Sequence, residues 1–199
     1  DQASSKLKLI YSTDAIDAST PATVPSWSDP VIIDNLYSGS NVSLYVENDG
    51  NAGTPDPIHL AYHDTSNADL RYTYLPSYDG TPTSVSVDSY NSVGTLTEVK
   101  SYGGIPYIVY YNNSENGTRD SIKISIFRGT PGAITAGVNE SGNVTGDWDS
   151  ITIPANDIPV GGLPDFNYVM LGFRSDGSPV IGYLSDDIEW ARILPELAD

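Results

Sequence analysis

His59 and His63 stand four residues apart in Ile58-His59-Leu60-Ala61-Tyr62-His63-Asp64. On an alternating strand that even spacing puts both imidazoles on one face, with Asp64 on the other. A zinc site would need at least one more ligand there. The chain has only 2 His and no Cys, so the expected role is ordinary polar positions near a strand end, and no metal is assigned. Asp49-Gly50-Asn51-Ala52-Gly53-Thr54-Pro55-Asp56 has the oxygen density of a calcium loop, but neither the closing Glu nor the spacing of an EF-hand. A strand-to-strand turn is the stronger reading, with calcium the lesser one and no other cofactor expected. A Ser-His-Asp triad lacks both a Gly-x-Ser-x-Gly and a His in a loop. Walker and Gly-x-Gly-x-x-Gly phosphate loops do not occur either.

Composition narrows the chemistry further. Without Cys there are no disulfides, thiolate zinc sites, iron–sulfur clusters or catalytic thiols. Against 26 Asp+Glu stand 9 Lys+Arg, a formal charge of −17. Nucleic acid and anionic lipid both call for clustered Lys and Arg, so neither is an expected partner. No apolar run approaches the roughly 18 residues of a membrane span. The 199 residues, 39% apolar and 10% aromatic, suffice for one packed domain or two small ones. Because the first residue is Asp1, the sequence reads as a processed chain or a segment.

The elements that must position any site are strands. Leu7-Lys8-Leu9-Ile10-Tyr11, Val42-Ser43-Leu44-Tyr45-Val46 and Ile122-Lys123-Ile124-Ser125-Ile126 alternate with period 2 and are rich in Tyr, Val and Ile. Turn clusters such as Tyr78-Asp79-Gly80-Thr81 and Ser175-Asp176-Gly177-Ser178 separate them. No segment holds a helical period for three turns. An all-β fold follows.

The strands repeat. Ile58–Asp64, Pro106–Asn112 and Pro179–Ser185 align, each followed by a polar turn and an outgoing strand beginning at Leu70, Ile122 and Ile188. Leu7 opens a fourth copy of that outgoing strand, and Tyr62, Tyr110 and Tyr183 fall at one repeat position. Units of this size match propeller blades. After the first copy, Ser12, Asp14 and Trp27 resemble the Asp-box, or bacterial neuraminidase repeat, of sialidase-like β-propellers. In that family Ser-x-Asp-x-Gly-x-x-Trp forms the turn between a blade's third and fourth strands. Here the Gly is absent and an insertion separates Asp14 from Trp27.

That resemblance implies about three four-stranded antiparallel blades belonging to a larger ring of six or seven. The parse is a partial blade at 7–34, full blades at 42–88 and 94–153, an incomplete blade at 166–193 and a tail at 194–199. It also implies that Asp14 accepts main-chain N–H bonds in a turn and that Trp27 packs between elements. Missing strands would come from upstream sequence or a partner chain. A sialidase clamps a carboxylate with three Arg, and only Arg119 falls in a loop on the face that carries the family's site. The expected function is therefore non-catalytic: adhesion, protein contact or extracellular assembly, with glycan as one ligand. The alternative is part of a glycoside hydrolase whose other catalytic residues lie outside this chain. On the same face the loops offer Tyr37, Asp64, Asn67, Tyr90, Asn91 and Asn113 beside Arg119, the aromatic, amide and carboxylate groups that sugars use. Five sequons, at Asn41, Asn112, Asn116, Asn139 and Asn143, all in expected loops, fit an extracellular or cell-surface glycoprotein.

Overall fold

The computed structural model describes residues 6–14, 25–35, 41–48, 50, 54–90, 92–113, 121–129, 147–153, 168–184 and 192–193. They form four antiparallel sheets. The first pairs β1 (Leu7–Leu9) with β2 (Val31–Asp34). The second contains β3 (Ser43–Val46), β4 (Ile58–Asp64), β5 (Asp69–Leu75) and β6 (Thr83–Asp88). The third contains β7 (Ser92–Tyr102), β8 (Ile105–Asn113), β9 (Ser121–Phe127) and β10 (Trp148–Thr152). The fourth contains β11 (Tyr168–Phe173), β12 (Pro179–Leu184) and β13 (Arg192–Ile193). Within each sheet the strands lie side by side in chain order. Antiparallel neighbours can be joined by short turns, and Gly103-Gly104, both at positive φ, close β7 onto β8.

Three apolar layers hold the sheets face to face. Leu7, Leu9 and Ile33 meet Ile58, Leu60, Tyr62 and Leu75 between the first and second sheets. Ala61, Leu70, Tyr72, Val85 and Val87 meet Val99, Ile108, Tyr110, Phe127 and Trp148 between the second and third. Val109, Ile122, Ile124 and Ile126 meet Val169, Leu171 and Ile181 between the third and fourth. The alternation in the sequence therefore serves two cores rather than a core and solvent. Every residue of β4 and β9 is buried, because odd and even positions each face a neighbouring sheet. Each such Leu or Ile contributes about 1.5–3 kcal/mol on burial. Gly94, at φ +92°, brings β7 against β5: a Cβ there would stand 2.9 Å from the Leu70 Cα.

Cross-strand register makes the units comparable residue by residue. Tyr62 lies opposite Arg71 in the second sheet, and Tyr110 opposite Lys123 in the third. Two residues along, Thr73 faces Ser84 and Ser125 faces Ser150. Even irregularities recur: the pairing slips between Leu7 and Lys8 opposite Asp34, and between Leu70 and Arg71 opposite Asp88. In the fourth sheet Arg192 pairs with Ile181, where Thr73 pairs with Leu60 and Ser125 with Ile108. The sequence alignment places Ala191 at that position, so it is corrected by one residue.

The region resembling an Asp-box is partly as expected. Asp14 Oδ2 accepts the Ser26 N–H at 2.7 Å, and Ser12 Oγ accepts the Asp14 N–H at 3.1 Å. Trp27 is the correction. It is 58% exposed and does not pack between elements. Ser28, its neighbour, makes the link instead, since its hydroxyl accepts the Tyr11 N–H while its own N–H donates to the Tyr11 carbonyl.

Candidate functional site

The buried polar residues come first, because an ionisable group inside a core needs a reason. Tyr62 Oη donates to Asp34 Oδ2, and Arg71 Nε donates to the same oxygen at 3.0 Å. One unit later Tyr110 Oη donates to Asp88 Oδ2 at 2.6 Å and Lys123 Nζ donates there too. Each tyrosine hydroxyl also meets a hydroxyl on the third strand, Thr73 at 3.2 Å and Ser125 at 3.2 Å. The pattern is a clamp: an aspartate ending one sheet's last strand binds the tyrosine and the cation of the next sheet. Burial pushes the Tyr110 hydroxyl well up from its ordinary value, and Asp88 beside it pushes the same way, so the phenol keeps its proton and donates. Tyr62 is raised by burial and by Asp34. For Arg71 burial opposes the charge, but Tyr62 and Asp34 outweigh it and raise the guanidinium. Tyr183 holds the same place on β12 but is only half-buried, and residues 154–167, ahead of β11, lie outside the described residues.

His59 and His63 are likewise built in. His59 lies between Tyr72 Oη at 2.6 Å and Glu47 Oε2 at 3.1 Å, while Glu47 Oε1 accepts the Gly104 N–H at 3.0 Å. His63 Nδ1 meets the Val93 carbonyl at 2.7 Å. Both imidazoles therefore tie the second sheet together or to the third.

The expected loop residues divide. Asp64 is fully buried, and its oxygens take the Ser66 N–H at 3.0 Å and Asn67 Nδ2 at 2.8 Å. That makes it a turn-forming residue and corrects its assignment as a ligand contact. Asn67, Tyr90 and Asn113 are exposed at the ends of β4, β6 and β8. Tyr37, Asn91 and Arg119 lie outside the described residues. Among the sequons Asn41 is exposed, but Asn112 is buried on β8 and donates to Ser121 Oγ at 3.2 Å. A strand residue with its amide so engaged cannot carry a glycan without unpairing, which corrects its loop placement. Asn116, Asn139 and Asn143 are outside the described residues, as are Asp49 and residues 51–53 of the oxygen-rich turn.

A different place has the features of a binding site. β7 loses register twice, between Val93 and Thr95 and again between Thr95 and Glu98. Leu96, inside that break, takes φ +51°, a backbone region that a branched side chain rarely enters. The bulge turns Glu98 so that Oε2 accepts the Leu171 N–H of β11, with Lys100 Nζ 3.3 Å from Oε1. One step earlier in the repeat, Ser43 Oγ accepts the Val99 N–H at 3.0 Å. First strands are thus stitched side chain to main chain. Between them opens a cleft of about 440 Å³, lined by Asn41, Ser43, Leu44, Thr97, Glu98 and Tyr168 among others. Thr97 Oγ1 is buried there with no hydrogen-bond partner, and Tyr168 is 55% exposed. An exposed ring, a free hydroxyl and a fixed carboxylate suit a neutral polyhydroxylated ligand: stacking on its apolar face and hydrogen bonds to its hydroxyls.

The sequence reading passed over this cleft. Its signal is the apolar spacing Val93, Leu96, Val99, a period of three inside a strand whose neighbours keep a period of two. No protein-family model, curated protein or solved structure matches the chain.

Proposed function

We propose that this chain is a non-catalytic module of propeller-type blades, working outside the cell or at its surface by contact: adhesion, protein assembly or glycan binding. The observation that carries this reading is the clamp. Asp34, Tyr62 and Arg71 reappear as Asp88, Tyr110 and Lys123 at matched register positions, so the strongest buried charges serve repeated sheet-to-sheet attachment. The residues left over for recognition are those of the first-strand cleft, with Asn67, Tyr90 and Asn113 exposed in the loops. The cleft's Glu98 is fixed in place by the Leu171 N–H and by Lys100, and each of its oxygens keeps a second lone pair that can accept from a ligand hydroxyl.

A glycan array probed with the intact chain and with Tyr168→Ala tests the glycan branch. Binding that is lost in Tyr168→Ala, with the circular dichroism spectrum unchanged, is the expected result. Hydrolysis of aryl glycosides or sialosides by the intact chain would overturn the non-catalytic reading and favour the glycoside hydrolase.

A further inference from the structure

Equivalent positions on the first strands of three sheets have unequal fates. Leu44 pairs with Leu60, Val99 with Ile108 and Leu171 with Ile181. Each partner is a buried core residue facing the preceding sheet. Val99 and Leu171 are 1% and 2% exposed, yet Leu44 is 48% exposed and Val46, on the same face of β3, is exposed too. The cause is visible in the sheet ahead. β7, which carries Val99, packs against β3 and β4, and β11, which carries Leu171, against β7 and β8, the first two strands of their preceding sheets. The first sheet has, among the described residues, only β1 and β2, which match β5 and β6 in register. Where β5 pairs on both sides, β1 pairs, among the described residues, with β2 alone. Beside it a cleft of about 710 Å³ runs under Tyr11, Val46, Ile58 and Tyr78.

We infer that this open quarter is a docking surface for a two-stranded β-hairpin of another polypeptide. One strand adds to the edge of β1 that faces away from β2, which no described strand covers, continuing an interface whose outer half is already formed by Leu7, Leu9 and Ile33. The other lies over Leu44 and Val46. The later interfaces specify its chemistry. It presents alternate apolar side chains toward β3, and its inner strand carries a hydroxyl or carboxylate to take the Leu44 N–H, as Ser43 takes that of Val99 and Glu98 that of Leu171. A second copy of this chain does not fit the role. Both edges of β12 are occupied by β11 and β13, and the residue matching Ser43 and Glu98 in the fourth sheet is Met170, which has no oxygen. The face exists whether or not the first-strand cleft takes a glycan, so array results do not decide it.

The chain contains no Cys, so Leu44→Cys gives it a single thiol at an exposed position. The probe is a peptide copying residues 92–113, the hairpin of β7 and β8, used free and also fused ahead of Lys6 to raise its effective concentration. Maleimide labelling of Leu44→Cys should slow about 10-fold or more in the fusion. A Glu98→Leu change in the added hairpin should restore much of the rate, and Asp149→Cys should label equally fast throughout. Unchanged labelling of Leu44→Cys in the fusion would overturn the inference. So would slow labelling in the unfused chain, concentration-dependent if a second copy covers the face and concentration-independent if the chain covers it itself.

Discussion

The boundary between the second and third sheets and the boundary between the first and second carry the same polar clamp under different apolar cover. In the former, Trp148 is fully buried, edge-on to Tyr72 at 5.0 Å and beside Phe127 at 5.3 Å, and the layer reaches inward to Val99. In the latter, the layer stops at Leu60 and Ile58, leaving Leu44 and Val46 outside it. The clamp survives where the inner cover is lacking. The third and fourth strands of one sheet therefore attach to the next sheet without their own first and second strands beside them, and the polar and apolar parts of the interface are separable.

Removing the clamp aspartates gives the largest effects. Asp88 and Lys123 side chains are 3% and 7% exposed, so Asp88→Ala strands a buried ammonium and leaves the buried Tyr110 hydroxyl to Ser125 and Ser150. A loss of about 3–5 kcal/mol is expected in urea unfolding. Asp34→Ala should cost less, because Arg71 is the more exposed cation and keeps Ser86 Oγ at 3.2 Å. Equal or reversed costs would break the link between how deeply each clamp's cation is buried and what its aspartate is worth.

The apolar half of the comparison is sharpened by one substitution made twice. Leu171→Ala, in the buried copy, should cost about 2–5 kcal/mol. Leu44→Ala, in the open copy, should stay within about 0.5 kcal/mol, as a surface change does. Comparable losses at the two sites would mean that Leu44 is covered in solution.

Much of this was legible before any coordinates. Alternation in Ile122–Ile126 and Leu70–Tyr74 announced strands, and the turn clusters separated them correctly because Gly and Asp supply turn geometry locally. The equivalence of Tyr62 and Tyr110 was also readable, since both precede a polar turn and a strand with a cation at its second position. What the equivalence is for was not. The partner aspartates, Asp34 and Asp88, lie 28 and 22 residues upstream of their tyrosines, and no local pattern links them. Trp27 failed for the opposite reason: a motif residue was given a packing role that depends on neighbours a motif does not specify. The bulge at Leu96 was hidden because one residue of slip in a strand looks like ordinary variation until the partner strand is known.

The smallest expected effect concerns His59, where the covered boundary can be probed by pH. Burial lowers the pKa of His59 below its ordinary 6.5, with Glu47 pulling the other way and only partly succeeding. A neutral ring fits its partners: Nε2–H donates to Glu47, while Nδ1 accepts from Tyr72, whose hydroxyl pKa burial raises well above the usual. The sign then follows. As pH falls through 6.5 the unfolded chain binds a proton that the folded chain does not yet bind, so unfolding takes up protons and stability drops. The contribution is complete above 6.5 and is lost progressively as the pH falls toward the lowered folded value. Urea midpoints of the intact chain should therefore decrease between about pH 7.5 and about pH 5.5, and His59→Gln should remove part of that slope. A slope unchanged in His59→Gln would mean that His59 binds its proton equally in the folded and unfolded chain, whereas a midpoint that rises as the pH falls would mean that Glu47 holds the imidazole charged. The turn between β7 and β8, tied to Glu47 through Gly104, would then be fastened by an ion pair instead of a neutral relay.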